Sequence, residues 1–421
     1  MIRFIFADLR RLWAGSIVVV LLVALATALG VTVTLQERAL RLGSARAADK
    51  FDLVVGAAGS ETQLVLSSVF LQPAALPLMD GDVLARLNAD PRVAWAAPVA
   101  FGDSFAGYPL VGTTTTLIQN TSPGFAEGGM FVTEGQAVIG AAVHLRLGAE
   151  IKPMHGTAET GGETHTELVY HVSGRLKPTG TPWDRAILVP VQAVWHIHGL
   201  GEEHDDDDHG GTAESTAPAH AEDHDHHGAI DADAPVNEDF DAHAPGLPAI
   251  LVKPKSIADA YKLRQDFRQG ATLAVFPGEV LTSLYATLGD ARQVLSAVAI
   301  GAQGLVAAAL ILVTVVHIGQ RRRQIGALRA FGAPRLAVVT IVWLELFALV
   351  LLGIGLGYLI GYGAALTIAD RFTVQNGLIL PVEFARQDLW QAIGMVAFAA
   401  ILSAIPAILA YRQSPVTALR S

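Results

Sequence analysis

Apolar residues gather into four long runs along the chain. Ala14 to Thr34 is 21 residues without a charge. Ala291 to His317 carries only Arg292 near its start, Leu336 to Ala369 is interrupted only by Glu345, and the last run covers Leu389 to Tyr411. About 20 apolar residues span the hydrocarbon core of a bilayer. The pattern therefore predicts four transmembrane helices, one before a long polar stretch and three after it. A cleaved signal peptide is the competing reading of the first run. That run is longer than a signal core and no small-x-small cleavage site follows directly, so a retained helix is expected. Before it, Met1 to Trp13 reads as an amphipathic surface helix with Arg3, Arg10 and Arg11 toward lipid headgroups.

Between the first and second runs the pattern changes period. Phe51 to Gly56 and Val93 to Val99 read as strands, and Asp80 to Asn88 as a helix with Val83, Leu84 and Leu87 on one side and Asp80 as N-cap. Leu247 to Val252 reads as a strand. Ser256 to Gln269 reads as a helix capped by Ser256, with Ile257, Ala260, Tyr261, Leu263 and Phe267 as its apolar positions. The middle, roughly 112–191, is β-rich. The expected fold class is a membrane protein with four transmembrane α-helices (1 + 3) and a large α+β periplasmic domain between helices 1 and 2. Its parts are an amphipathic helix and first span (1–35), a periplasmic domain (36–285) with a His/Asp-rich disordered insert (196–246), and a C-terminal domain (286–421). The last contains spans at about 291–317, 336–365 and 389–411, with a loop at 318–335.

Composition agrees: 52% hydrophobic, 16% charged and a mean hydropathy of +0.42 suit a chain partly in lipid and partly in water. The net charge of −10 comes from one place. Gly201 to His243 holds 15 Asp and Glu and no Lys or Arg, so the rest of the chain is mildly basic. No basic groove with interleaved aromatics appears, which argues against a nucleic-acid partner. The absence of cysteine excludes disulfides and thiolate metal sites. Basic residues in the short loops place both termini and the 318–335 loop in the cytoplasm, and the large domain on the other side.

The 318–335 loop carries Arg321, Arg322, Arg323, Arg329 and Arg335 and no acidic residue. Ile325, Leu328 and Phe331 recur at helical spacing among them, and Gly332-Ala333-Pro334 ends the pattern. Such a helix lies on the membrane surface or in a groove of a partner. Glu345 is the one ionisable residue well inside a span, roughly 15 Å of helix beyond Arg335. A structural or coupling role suits it better than proton transport.

Arg323-Gln324-Ile325-Gly326-Ala327-Leu328-Arg329-Ala330-Phe331-Gly332-Ala333, then Glu345, Gly353, Gly355 and Gly357, resembles the signature of FtsX-like permeases. Pro406 to Arg420 resembles how these permeases end, and the 1 + 3 layout is similar to the MacB and LolCDE branch. Gln324 departs from the acidic residue more usual before the Ile-Gly pair. The resemblance implies a membrane subunit of an ABC transporter that pairs as a homodimer or with a related permease. It also implies a cytoplasmic ABC ATPase, which binds ATP and docks on the loop after the second helix. Its strokes move the periplasmic domain, on lipoprotein, peptide, lipid or metal-related cargo, in a bacterial inner membrane. Membrane lipids and a periplasmic partner complete the expected contacts. The chain has no G-x-x-x-x-G-K-[ST] loop, so it is not itself expected to hydrolyse ATP by that route, and no catalytic residues are assigned.

Nine of the fourteen histidines cluster in the acidic insert: His196, His198, His204, His209, His220, His224, His226, His227 and His243. Imidazole and carboxylate are ligands for Zn²⁺, Ni²⁺ or Cu²⁺. The same composition suits a solvated, disordered loop, and the two readings are compatible. Capture weakens below about pH 6, where imidazole protonates. Deletion of residues 202–243 is expected to leave the fold intact and remove most zinc binding. The alternative function is a membrane-anchored periplasmic metal-binding receptor or sensor without an ATPase. A cell-division regulator is a third, less favoured class, since the exported domain is large.

Overall fold

A computed structural model describes residues 13–155, 168–200, 231–286 and 334–411, with isolated helical positions at 297, 301, 304 and 308. The amphipathic N-terminus to residue 12, the second expected span and most of the 318–335 loop lie outside the described residues. The described part divides into two units.

The first unit takes in residues up to 42, 286–371 and 380–421. Three of its helices are long and apolar enough to cross a membrane. They are α1 (Trp13–Ala47), α7 (Arg335–Asn376) and α8 (Arg386–Tyr411). They match the first, third and fourth expected spans, but α1 and α7 run well past them. At 1.5 Å per residue, α1 is roughly 52 Å long and α7 roughly 63 Å, against a hydrocarbon core of about 30 Å. After Thr34, α1 meets no Gly or Pro until Gly43, and Glu37–Arg41 pair at 2.8 Å one turn apart. The change from apolar to polar therefore does not mark the helix end.

Glycine sets how closely α1 and α7 approach. A Cβ on Gly353 would lie 2.6 Å from Val23 Cβ, one on Gly357 2.5 Å from Thr27 Cβ, and one on Gly361 2.8 Å from the Ala28 carbonyl oxygen. This every-fourth-residue seam is the small-xxx-small packing of membrane helices. Gly355 and Gly363 have nothing within 4 Å. Further along, α1 side chains donate into carbonyls of α7: Thr32 Oγ1 to Gly361 O at 3.1 Å and Gln36 Nε2 to Ala365 O at 2.7 Å. Trp343 Nε1 donates to Ala400 O at 2.9 Å and ties α7 to α8.

The second unit covers 43–285 and 372–379, so the expected 36–285 domain begins later and recruits a distant segment. Its described strands form one eleven-stranded mixed sheet. The strands are β1 (Leu53–Ala57), β2 (Val93–Phe105), β3 (Tyr108–Thr113), β4 (Phe125–Gly128), β5 (Gln136–Ile139), β6 (Glu150–Ile151), β7 (Met154–His155), β8 (Tyr170–Leu176), β9 (Ile187–Pro190), β10 (Ala249–Pro254) and β11 (Thr272–Val275). Their spatial order is β11-β1-β10-β2-β3-β9-β5-β8-β4, with β6 on β8 and β7 on β2. The long β2 joins two halves. Its first residues pair with β10, and from Ala100 it pairs with β3 across a register shift between Phe101 and Ser104.

Helices α2 (Glu61–Phe70), α3 (Asp82–Ala89), α4 (Thr115–Thr121), α5 (Val191–Ile197) and α6 (Ile257–Asp266) accompany the sheet, and residues 277–286 are helical. Val83, Leu84 and Leu87 are buried as their spacing predicts. Each contributes about 1.5–3 kcal/mol by leaving water. Two expectations are corrected. Gly81, not Asp80, caps α3, without a side-chain bond. A Cβ there would stand 1.9 Å from the Ala244 carbonyl oxygen, so close chain contact selects glycine. On α6, Ser256 does cap, accepting from Asp259 N at 3.2 Å. Ala260, Leu263 and Phe267 are buried, but Ile257 and Tyr261 are exposed.

Candidate functional site

The residues proposed to receive an ATPase, Arg321, Arg322, Arg323, Ile325, Leu328, Arg329 and Phe331, lie outside the described residues. Arg335 opens α7. Glu345 is buried within α7, an arrangement that needs polar company in a membrane span.

The expected insert 196–246 is narrower than its composition suggests. His196 belongs to α5 and His198 is that helix's C-cap. On the far side, residues 231–246 are firmly held. Glu238 accepts from both Thr115 N at 2.5 Å and Thr115 Oγ1 at 2.6 Å, at the start of α4. Gly135 N donates to Ala232 O at 2.8 Å, and Phe240 packs edge-on against Trp195 at 5.9 Å. Asp231, Asn237 and Asp241 each close a short turn by accepting the backbone N–H two residues on. These local bonds are invisible to composition, which sees only Asp, Ala and Pro. His204, His209, His220, His224, His226 and His227 lie outside the described residues.

The described histidines do not converge on one point. His196 Nδ1 is 2.8 Å from Glu134 Oε2, whose side chain is almost fully buried. His198 Nδ1 is 2.8 Å from the Val194 carbonyl oxygen, and its Nε2 faces Asp103 Oδ1 at 3.7 Å. His243 is exposed, 3.9 Å from Asp241. Among the described residues no three His, Asp or Glu side chains form a group able to hold a metal ion.

Asp103 and His198 line a cleft of about 950 Å³ in this unit. Its wall is formed by the segment after α2, where Leu71 takes φ +53°, together with Trp195 and Leu200. Beside it Tyr170 is fully buried, and its hydroxyl has no hydrogen-bond partner among the described residues. Burial first, then the charges of Asp103 and Glu134, push the Tyr170 phenol well above its ordinary range.

Residues 372–379, at and beyond the end of α7, are bonded onto the turn at 179–185. Arg185 Nη1 donates to Val374 O at 2.6 Å, and Ile379 N to Gly180 O at 3.1 Å. Gly377 adopts φ +70° to leave the helix. The Asn376-Gly377 pair was the available signal in the sequence. Asp184 shapes the same turn by accepting from Thr179 N at 2.8 Å, Thr179 Oγ1 at 2.7 Å and Gly180 N at 2.8 Å.

Residues 296–416 match the family model described as FtsX-like permease C-terminal. The C-terminal part of the chain is thus an FtsX-like permease domain, and the matched range includes the arginine-rich loop, Glu345 and the glycine seam. No curated protein matches the sequence. Among solved structures, one similar chain is the extracellular domain of the noncanonic ABC-type transporter YknZ from Gram-positive bacteria. It is 11% identical, covering 53% of this chain and 98% of that one, with a TM-score of 0.29. Another is the periplasmic region of MacB from Actinobacillus actinomycetemcomitans, 8% identical, covering 56% and 95%, with a TM-score of 0.32.

Proposed function

We propose that the chain is the membrane subunit of a MacB-like ABC transporter in a bacterial inner membrane. It couples ATP hydrolysis by a separate cytoplasmic ATPase to movement of its periplasmic domain. The observation that carries this reading is the family match over 296–416, which contains the amphipathic arginine loop between two spans. The apolar helices and the large sheet domain fit the layout the reading requires. The cargo class is lipoprotein, peptide, lipid or metal-related, and the subunit works as a homodimer or with a related permease. The His/Asp-rich insert gathers divalent metal ions at the periplasmic face.

Co-purification with a candidate P-loop ATPase from a neighbouring open reading frame tests the coupling. Wild type is expected to retain the ATPase, and an Arg323→Glu, Leu328→Asp variant to lose it. Equal retention by both removes the loop as the docking site. Failure of any neighbouring ATPase to bind returns the chain to the receptor or sensor reading.

A further inference from the structure

We infer that the cleft of the sheet domain binds a neutral, mainly apolar molecule carrying a carbonyl acceptor, of the fatty acyl ester or amide type. The inference rests on the transporter reading only in making such a molecule cargo. Binding is measured without an ATPase, so the site and the coupling stand or fall separately.

The cleft has the size and lining of a small-molecule site. Its volume is about 950 Å³, and such sites span roughly 300–1,000 Å³ with mainly apolar walls and a few polar groups. Phe70, Leu76, Phe101, Val111 and Val194 supply apolar wall. Gln72, Gln375 and Asn376 also line the cleft and are exposed, so they form a neutral polar rim.

Two polar groups in the wall are unsatisfied. Ser67 and Trp195 line the cleft and are 1% and 6% exposed. Neither Ser67 Oγ nor Trp195 Nε1 has a hydrogen-bond partner among the described residues. An unpaired donor withdrawn from water is costly, and an indole N–H can only donate. Both atoms are shut off from water in the cleft as it stands, so an occupant meets them as the wall gives way. Residues 71–78 of that wall belong to no helix or strand, and they are the part suited to move aside.

The charged groups at the cleft are already engaged. Asp103 faces His198 at 3.7 Å. Arg185 donates to Val374 O at 2.6 Å and lies over the Tyr108 ring at 4.9 Å from its centroid. A charged ligand would be buried beside them without a partner of its own, at high cost. The two unengaged groups are neutral donors, and their complement is a neutral acceptor. An ester or amide carbonyl supplies it, while its acyl chain matches the apolar walls.

The test uses the full chain in phosphatidylcholine nanodiscs and a monoacylglycerol with a diazirine in its chain. After illumination, labelled peptides are mapped by mass spectrometry. Labelling is expected within 67–78 and 194–200, in addition to the membrane helices. The free fatty acid of the same chain, and the alkyl glycerol ether without the carbonyl, are expected to label these two segments about fivefold less, the scale of one hydrogen bond. Trp195→Phe keeps the ring and removes the donor, and is expected to lower the labelling by a similar factor, as is Ser67→Ala. Trp183→Phe is the control: its indole N–H also lacks a partner, but Trp183 does not line the cleft, and labelling is expected to be unchanged. Thermal unfolding is recorded for each variant, and the comparison of probes on wild type needs no variant. Absence of label from both segments, or equal labelling by the three probes, overturns the inference. So does undiminished labelling in a folded Trp195→Phe.

Discussion

Arg38 holds Asp388 with both terminal nitrogens, Nη1 to Oδ2 at 2.6 Å and Nη2 to Oδ1 at 2.9 Å, and Nη1 also donates to the Glu383 carbonyl at 3.0 Å. The fork joins α1 to the first turn of α8. Asp388 accepts in addition from Ala385 N at 2.7 Å, which fixes the carboxylate where the guanidinium meets it. Removing Arg38 leaves the buried Asp388 carboxylate without its charged partner. Arg38→Ala is expected to lower stability by about 1.5–3 kcal/mol, the range for hydrogen bonds to charged groups. Arg38→Lys is expected to recover only part of this, since an ammonium does not reproduce the two-pronged grip. Thermal unfolding in detergent measures both, and a double-mutant cycle with Asp388→Asn isolates the pair.

The glycine seam separates two kinds of glycine on one helix. Gly357→Ala is expected to destabilise the α1–α7 contact by about 1–3 kcal/mol, the usual scale of overpacking, because its Cβ would collide with Thr27. Gly355→Ala, two residues away with open space beside it, is expected to be neutral or mildly stabilising through helix propensity. Equal melting temperatures for the two variants would contradict the seam.

Asp90 contributes to the pH dependence of the sheet domain. Arg92 pairs with Asp90 through Nη2 to Oδ2 at 2.6 Å and with Asp266 through Nη1 at 2.8 Å. The bond from Arg92 holds the Asp90 carboxyl below its ordinary value of 3.8. A carboxyl depressed in the folded state adds stability above its unfolded value and loses it as pH falls through the folded one. Arg92→Gln is therefore expected to reduce stability at neutral pH and to flatten the decline below about pH 4. Unfolding curves between pH 2.5 and 7, values chosen to bracket that window, check the shape.

The return arm bears on how the insert is removed. Excision of 202–243 takes out Glu238, Phe240 and Asp241, hence the clamp on Thr115 and the edge contact with Trp195. It is expected to lower the melting temperature markedly. Replacing only 202–230 keeps those contacts and is expected to leave the melting temperature within a few degrees of wild type, a shift of under about 1 kcal/mol. Circular dichroism melts of the two forms distinguish a cleanly removable insert from one that is partly a structural strap.

Periodicity made the helices and several strands legible. Val83, Leu84 and Leu87 mark one buried helix face, and the unbroken apolar runs mark the spans that are described. Local pattern was silent on partners distant in sequence. Ile257 and Tyr261 have the spacing of a buried face, yet both are exposed, and Tyr261 makes one edge contact, with Phe276, among the described ring pairs. Asp80 looks like a cap, yet the N-cap is Gly81, where a Cβ would collide with the Ala244 carbonyl. At the site, His196 and His198 stood out by residue type. Their carboxylates, Glu134 and Asp103, did not, because 62 and 95 positions separate each pair and only the sheet topology closes that distance. The same holds for Arg38 with Asp388, which lie 350 positions apart.

The chain enters the sheet domain on β1 and leaves it after β11, and these two strands are antiparallel neighbours. Val54 opposes Val275 where the chain goes in and comes out, and Ala57 opposes Thr272 at the far end. Just outside the ladder, the Ser44 and Tyr285 hydroxyls are hydrogen-bonded to each other. Tension that draws the two connections apart thus meets the ladder as a zipper and not in shear. It strains the Ser44–Tyr285 link first and then opens backbone bonds one pair at a time from Val54–Val275. Mechanical strength at this edge is set by its first one or two bonds, however large the sheet behind them.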